Sequence, residues 1–432
     1  MFLFKHQRLR APRILVLGFA IIILFGAFLL SLPISLNDGV DVPFLDALFT
    51  STSAVCVTGL VTMDTGNTFN LFGRSILALL IQIGGLGFSS VGVIFIVLLG
   101  RRVGISERIL IKEAYNLSSL QGVVRLVKAV ILATLFFEGI GVIFSFIVFS
   151  ADYSPLKAFG ISVFHSISAF NNAGFDILGN FQGLTNYKDN VILNLITCFL
   201  IICGGLGFYV HYDICMKRRW RSLSMHSKIV LVTTFFLLVS GTLLLGLTQD
   251  LTWLEAFFHS TSARTAGFNT VNLGAMASSG LFIICILMFI GASPGSTGGG
   301  IKTTTAFTIF RSLYSMAVNN ECTSFCRRIA TESVIKAFSL AVLAMSVVFA
   351  NTLLISLIEP HLEFIDIFFE VVSAFATVGL TTGITPDLAS WSKIILIFTM
   401  FLGRLGPLTL ACMWTYHKHS NMSYVEEKII IG

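Results

Sequence analysis

The sequence predicts an all-α, polytopic membrane protein made of four similar units gathered around one axis. Each unit is a span, a short re-entrant helix and a second span. Three observations carry that prediction. Of 432 residues, 55% are hydrophobic and only 12% charged, against about 25% charged in ordinary soluble domains. The apolar residues come in runs close to the ~20 that cross a bilayer core. One pattern also recurs in four separate loops.

The apolar runs are Ile14–Leu32, Ile76–Leu99, Ala129–Phe149, Ile192–Val210, Ile229–Leu247, Ser339–Ile358 and Ile394–Trp414, with an interrupted one at Leu281–Tyr314. The first follows Lys5, Arg8, Arg10 and Arg13, as in a signal peptide. It is too long for a signal core and no A-x-A site follows, so it is expected to stay as a helix. Lys and Arg gather in Lys5–Arg13, Arg101–Lys128, Lys217–Lys228 and Arg311–Lys336, whereas Asp38, Asp41, Asp46, Asp64, Asp152, Asp189, Glu363 and Asp366 fall in the alternate loops. The positive-inside rule then places both termini and the basic loops in the cytoplasm. Placed this way, the net charge of +6 reflects topology and asks for no nucleic-acid partner. Cys198, Cys203, Cys285 and Cys412 lie in apolar runs, and Cys322 and Cys326 lack a second ligand pair, which argues against disulfides and zinc. No nucleophile–base pair, H-E-x-x-H or paired carboxylates point to an enzyme.

The recurring stretches are LDALFTSTSAVCVTGL (Leu45–Leu60), GISVFHSISAFNNAGF (Gly160–Phe175), LEAFFHSTSARTAGF (Leu254–Phe268) and IDIFFEVVSAFATVGL (Ile365–Leu380). Phe49, Phe164, Phe258 and Phe369 correspond, as do the pairs Ser53-Ala54, Ser168-Ala169, Ser262-Ala263 and Ser373-Ala374. Each stretch ends on a glycine followed by Leu or Phe: Gly59, Gly174, Gly267 and Gly379. The third is one residue shorter between small pair and glycine. Each is followed in the next span by a second motif, GGLGF at Gly84, GGLGF at Gly204, GASPG at Gly291 and GRLGP at Gly403. The helix before each glycine is about ten residues, only half a bilayer at ~1.5 Å per residue. Its C-terminal carbonyls then end at mid-membrane, carrying about half a negative charge. Asp46, Glu255 and Asp366 sit at the opposite, positive ends of three copies. Non-helical backbone at that depth must be buried in protein or line water. Four copies around one axis would present a ring of main-chain oxygens able to replace a cation's hydration shell, and glycine would allow the positive φ this needs.

With these motifs the chain resembles the ion-translocating subunit of the Trk/Ktr/HKT potassium transporter superfamily, nearest its KtrB branch, over nearly its whole length. The resemblance implies four membrane–pore–membrane units, over residues 1–121, 122–227, 228–330 and 331–432. It implies a filter of backbone carbonyls at Val57-Thr58-Gly59-Leu60, Asn172-Ala173-Gly174-Phe175, Thr265-Ala266-Gly267-Phe268 and Thr377-Val378-Gly379-Leu380. The larger TrkH-type relatives carry two extra N-terminal helices, so the shorter Ktr form fits better. None of the four stretches has the full TVGYG of potassium channels, so a multi-site filter is not implied. The implied activity is K+ uptake across a bacterial cytoplasmic (inner) membrane, with Na+ as a candidate activator and no organic cofactor. A homodimer and a separate cytosolic nucleotide-binding ring of the KtrA (RCK) type are the implied partners. The alternative is an alternating-access, Na+- or H+-coupled cation transporter. Its mark would be discontinuous helices in symmetry-related halves, and only one of the second spans carries a strong break.

That break is Gly291-Ala292-Ser293-Pro294-Gly295-Ser296-Thr297-Gly298-Gly299-Gly300, followed by Ile301 and Lys302. It is nearly a phosphate-binding loop, but Ile301 separates the last glycine from the lysine and no strand precedes it. Glycine costs about 1 kcal/mol and proline about 3 kcal/mol in a helix interior, so the helix is expected to stop there. The family resemblance makes the segment an intramembrane gate below the filter. Lys302 has two placements open, at the cavity or snorkelling to the inner interface. Arg404 replaces the glycine of Gly85 and Gly205 in mid-span. It is expected to face the cavity against the Gly291–Gly300 loop, with a staple to Glu138 as the alternative. His165 and His259 are expected to pack or hydrogen-bond behind the filter, with Thr50 and Glu370 in the equivalent places. Arg264 is expected to cap pore-helix carbonyls.

Overall fold

The computed structural model describes residues 10–87, 90–92, 103–114, 122–406 and 427. The first basic cluster up to Arg8, the inner end of the second span, and the last span beyond Gly406 with the C-terminal tail lie outside the described residues.

Among the described residues, four long helices are each apolar enough to span a membrane: α1 (Arg10–Ser31), α5 (Val123–Phe149), α9 (Met225–Thr248) and α13 (Thr331–Ile358). Each opens a unit. Only 22–39% of their spanning windows is buried, as expected of an outer ring. The short helices α2 (Phe44–Cys56), α6 (Pro155–Phe170), α10 (Trp253–Ser262) and α14 (Phe364–Ala376) follow them. They are 10 to 16 residues long, so they reach partway across a bilayer. Asp46, Glu255 and Asp366 stand in the first turns of α2, α10 and α14, and α6 opens on Pro155 with no acid. Glu255 completes a capping box with Thr252, so its charge also satisfies two terminal donors.

The second spans begin as α3 (Leu71–Leu86), α7 (Val191–Leu206), α11 (Ser278–Phe289) and α15 (Ser390–Leu405). Helix α11 stops two residues short of its motif at Gly291, whereas the other three run to the third residue of theirs and stop at a glycine with positive φ: Gly87 at 78°, Gly207 at 91° and Gly406 at 84°. Beyond Gly207 the chain continues as α8 (Phe208–Lys217), bent by 91° from α7. The expectation of a single strongly broken span is therefore corrected. One glycine at φ > 0 suffices for a sharp break, and Gly207 carried no other warning inside its apolar run. In the third unit a loop replaces the kink, and the chain resumes as α12 (Thr303–Ala317). Helix α4 (Ile105–Ala114) and a small hairpin, β1 (Thr323–Ser324) with β2 (Arg327–Arg328), link the units on the basic side.

Contacts follow the symmetry. Within each unit the short helix packs on both spans. Between units, α3 meets α6, α7 meets α10, α11 meets α14, and α15 returns to α2. The ring closes on an ion pair of Lys393 in α15 with Asp46 in α2, at 2.9 Å.

Candidate functional site

In three of the units the first glycine of the second-span motif brings span and short helix together. A Cβ on Gly84 would lie 2.1 Å from the Val55 carbonyl oxygen, one on Gly204 1.9 Å from that of Phe170, and one on Gly403 1.8 Å from that of Phe375. Only glycine lets these three spans touch the carbonyl ends of their short helices; Gly291 of the third motif instead packs against Gly299 O, with Thr265 next to it. The motif is thus a packing device that fixes where the helix end points.

From there the chain reverses in the same way four times. The residue two before each key glycine has positive φ: Val57 at 59°, Asn172 at 59°, Thr265 at 82° and Thr377 at 51°. Three of these are β-branched, and that conformation is strained for them. The glycines themselves have φ of 94°, 67°, 79° and 92°. The serine of the small pair holds the turn. Ser53, Ser168 and Ser373 carbonyls accept the amides of Thr58, Ala173 and Val378 at 2.8–2.9 Å. The Ser53 and Ser373 hydroxyls accept the Gly59 and Gly379 amides at 3.0 Å. In the shortened third copy the Ser262 carbonyl takes both Ala266 and Gly267 amides, at 2.9 and 3.3 Å. Its hydroxyl turns to donate to the Phe268 carbonyl. The missing residue is absorbed in the cap, and the glycine keeps its place.

The four glycines form a closed ring. A Cβ on Gly59 would stand 2.4 Å from the Ala173 oxygen, on Gly174 2.5 Å from that of Ala266, on Gly267 2.2 Å from that of Val378, and on Gly379 2.0 Å from that of Thr58. Carbonyl oxygens and glycines therefore alternate around the circle. The side chains of Val57, Thr58, Leu60, Asn172, Ala173, Phe175, Thr265, Ala266, Phe268, Thr377, Val378 and Leu380 are all buried in protein. The ring is made of main chain.

The residues behind it behave as expected. His165 shares a hydrogen bond with Thr197 at 2.9 Å and His259 with Thr270 at 3.3 Å. Glu370 accepts from Thr381 and from Thr385. Thr50 bonds the Asp46 carbonyl in its own helix. Arg264 departs from expectation. It is buried beside the third turn, yet its guanidinium caps no carbonyl among the described residues.

The interrupted segment lies directly beneath the ring. Ile290 and Ile301 pair as a parallel bridge, so the segment leaves α11 and returns as a closed loop. A Cβ on Gly298 would meet Thr265 Oγ1 at 2.1 Å, and one on Gly299 would meet Thr377 Oγ1 at 2.3 Å. Gly291 stands 3.1 Å from Thr265 Cγ2 by the same measure, and Gly300 lies against Ala376. Gly295 and Gly300 have positive φ, 69° and 67°. The loop is moored to the second unit: Ser293 N donates to Gly205 O at 3.0 Å, Thr297 N to Gly204 O at 3.4 Å, and Phe208 N to Gly295 O at 3.0 Å. Internally, Ser296 bonds the Ser293 carbonyl at 2.6 Å and Thr303 N donates to Ala292 O at 3.3 Å. Pro294 O lies beside Gly207. Lys302 neither snorkels nor stands free: its Nζ donates to Gly298 O at 2.7 Å and Gly299 O at 3.2 Å.

Arg404 reaches the same loop from the fourth unit. It donates to Thr297 O in the loop and to Gly84 O in α3, with Gly85 O at 3.4 Å. The staple to Glu138 is not formed; that carboxylate accepts from Asn171 at 3.2 Å instead. One guanidinium thus joins units one and four to the loop of unit three. The sequence points to Thr265 and Thr377 for their carbonyls and to the four serines for their recurrence; the side-chain packing of the threonines on the loop and the serines' hold on the turns were what sequence reading passed over. Their signal was recurrence at fixed distance from the glycine, which reads equally well as small-residue packing.

Fold and ring together define a multi-span membrane protein of the transport class. A profile of the TrkH family, described as a cation transport protein, matches residues 22–249 and 228–424. The chain belongs to that family. It is similar to the Ktr system potassium uptake protein B of Bacillus subtilis (38% identical, 99% of this chain and 98% of the relative). It is also similar to the potassium/sodium uptake protein NtpJ of Enterococcus hirae (37%, 99% and 98%). The crystal structure of the potassium transporter TrkH from Vibrio parahaemolyticus superposes with a TM-score of 0.73 at 20% identity, over 94% of this chain and 84% of that one.

Proposed function

We propose that this chain takes up K+ through the glycine ring, which acts as its selectivity filter, and that the Gly291–Gly300 loop gates the passage from below. The observation that carries this is the closed alternation of four glycines with the carbonyls of Thr58, Ala173, Ala266 and Val378. Main-chain oxygens held rigidly at one level can replace water around a cation without fixed negative charge. Each flanking turn is strained and clamped by a serine, so the oxygens are positioned before the ion arrives. The names of the relatives favour K+, and NtpJ's adds Na+ as a second candidate ion or activator.

The loop fills the space under Thr265 and Thr377 and carries Lys302, with Arg404 beside it. Two cations there oppose passage of a third. Withdrawal of the loop would open the path, and a cytosolic nucleotide-binding ring docked on the basic inner loops would supply the control. A homodimer in the bacterial cytoplasmic membrane, with both termini inside and one complete pore per protomer, completes the reading. Alternating access would explain the Gly207 bend. Here, however, three second spans stop at the same motif position and only the third unit's gives way to a loop beneath the ring, which suits a pore with a local gate.

The test is Rb+ and Na+ flux into proteoliposomes, with Gly59, Gly174, Gly267 and Gly379 each changed to Ser. Flux should run down its gradient without stoichiometric coupling. Each serine should erode Rb+ preference over Na+. Obligate exchange, or variants with unchanged preference, would overturn the proposal.

A further inference from the structure

At the end of the molecule where the short helices enter, a groove of about 460 Å³ runs between α3 of the first unit and α6 of the second. That volume lies in the ~300–1,000 Å³ range of ligand sites. Its mouth carries two cations, Arg74 and Lys157, each in the first turn or so of its helix, with Ser154 beside them. Its deeper wall is apolar, with Ala78, Gly160 and Phe164. No carboxylate lines it among the described residues. Of the nearby acids, Asp64 acts electrostatically on Arg74 while accepting the amides of Asn67 and Phe181, and Asp152 accepts the Tyr187 hydroxyl at 2.8 Å.

The two cations are incompletely engaged. Arg74 donates one Nη to Gly66 O, and its Nε is buried without a hydrogen-bond partner. Lys157 is exposed and lies over the Tyr153 ring at 4.8 Å. Gly160 sits mid-helix with nothing within 4 Å of where its Cβ would be. A helical glycine costs about 1 kcal/mol against alanine, and no close protein contact explains this one. It keeps the groove open. Flanking Leu71 and Leu156 are strongly exposed, an apolar rim suited to contact with lipid.

We infer that this groove binds an anionic phospholipid. The phosphate sits between Arg74 and Lys157 at the membrane interface, and an acyl chain runs past Gly160 towards Ala78 and Phe164. Charge complementarity selects a net-negative headgroup, because both helices also point their positive ends at the mouth. The apolar depth selects a lipid over a free anion. The inference stands apart from the filter, and its readout is independent of transport.

The experiment is native mass spectrometry of the detergent-purified full chain, delipidated and then titrated with phosphatidylglycerol or phosphatidylcholine, with inorganic phosphate as a separate arm. The intact chain should keep phosphatidylglycerol in preference to phosphatidylcholine. Arg74→Gln with Lys157→Gln should lower phosphatidylglycerol retention about tenfold or more, as for loss of two interfacial cations. Gly160→Leu should lower retention with both charges intact. If the double variant fails to fold, Lys157→Gln alone, at an exposed position, should still weaken the preference. Equal retention of the two lipids, no effect of any variant, or full displacement by inorganic phosphate would overturn the inference. So would a shift in monomer–dimer balance without lipid loss, which would make the groove an interface between copies.

Discussion

Replacing Arg404 by alanine removes a side chain that joins the loop to two other units. Its guanidinium donates to Thr297 O and Gly84 O, with Gly85 O at the limit of bonding at 3.4 Å. Hydrogen bonds from a charged donor contribute about 1.5–3 kcal/mol each net. Two would bias the loop by about 3–6 kcal/mol, but the buried cation's own desolvation opposes this. A net bias of about 2–4 kcal/mol corresponds to about 30- to 1,000-fold in the ratio of held to released loop. The backbone bonds to Gly204, Gly205 and Phe208 remain, so the loop is loosened and not lost. Arg404→Ala should therefore raise basal Rb+ uptake into proteoliposomes holding this chain alone by at least about tenfold. Arg404→Lys should fall between, because one ammonium cannot bond carbonyls on separate segments as a planar fork does. Loss of folded protein would make Arg404 a structural staple. Normal folding with unchanged flux would refute the reasoning altogether.

Other outcomes follow from the same geometry. Gly403→Ala places a methyl 1.8 Å from the Phe375 oxygen; the enforced shift should cost about 1–3 kcal/mol, read as a lower thermal midpoint in detergent. Lys393→Met breaks the ring-closing pair with Asp46, whose side chains are 13% and 16% exposed. That should destabilise by about 1–3 kcal/mol, between the ranges for exposed and buried pairs, and a Lys393→Met/Asp46→Leu pair should recover part of it. Asp213 gives a pH dependence. Burial raises its pKa, but Lys217 and hydrogen bonds from Ser224 and Ser227 outweigh that and hold it at about 2. An acid held below its unfolded value of about 3.9 stabilises above that pH and ceases to as pH falls towards 2. With Lys217 partly exposed, about 1–2 kcal/mol is at stake at neutral pH. Asp213→Asn should lower the neutral-pH midpoint and flatten its fall in acid.

Much of this architecture was legible because it is written four times. A single glycine after a short apolar helix could be an ordinary helix stop. Four at matching positions, each with a second glycine motif downstream, leave few arrangements other than a ring. What stayed hidden depends on contacts between units or on a single backbone angle. Gly207 bends its span by 91° without a proline or a polar neighbour to announce it. Arg404 was legible as an anomaly and its loop partner could be guessed. Its bond to Gly84 O, some 320 residues away in sequence, could not. The Ser53, Ser262 and Ser373 hydroxyl clamps were visible as recurrence, but nothing in a sequence tells them from Ser168, whose buried hydroxyl has no hydrogen-bond partner among the described residues. Arg264 ran the other way: a cation next to a helix's carbonyl end suggested a cap, and the fold buries it without one.

The claim beneath all of this is that backbone oxygens, not carboxylates, carry the ion. Anomalous diffraction from crystals soaked in Rb+ or Tl+ tests it most directly. The account expects a peak inside the ring, bounded by the carbonyls of Thr58, Ala173, Ala266 and Val378. A ring that stays dark while the ion collects on an acidic side chain such as Glu370 would contradict it.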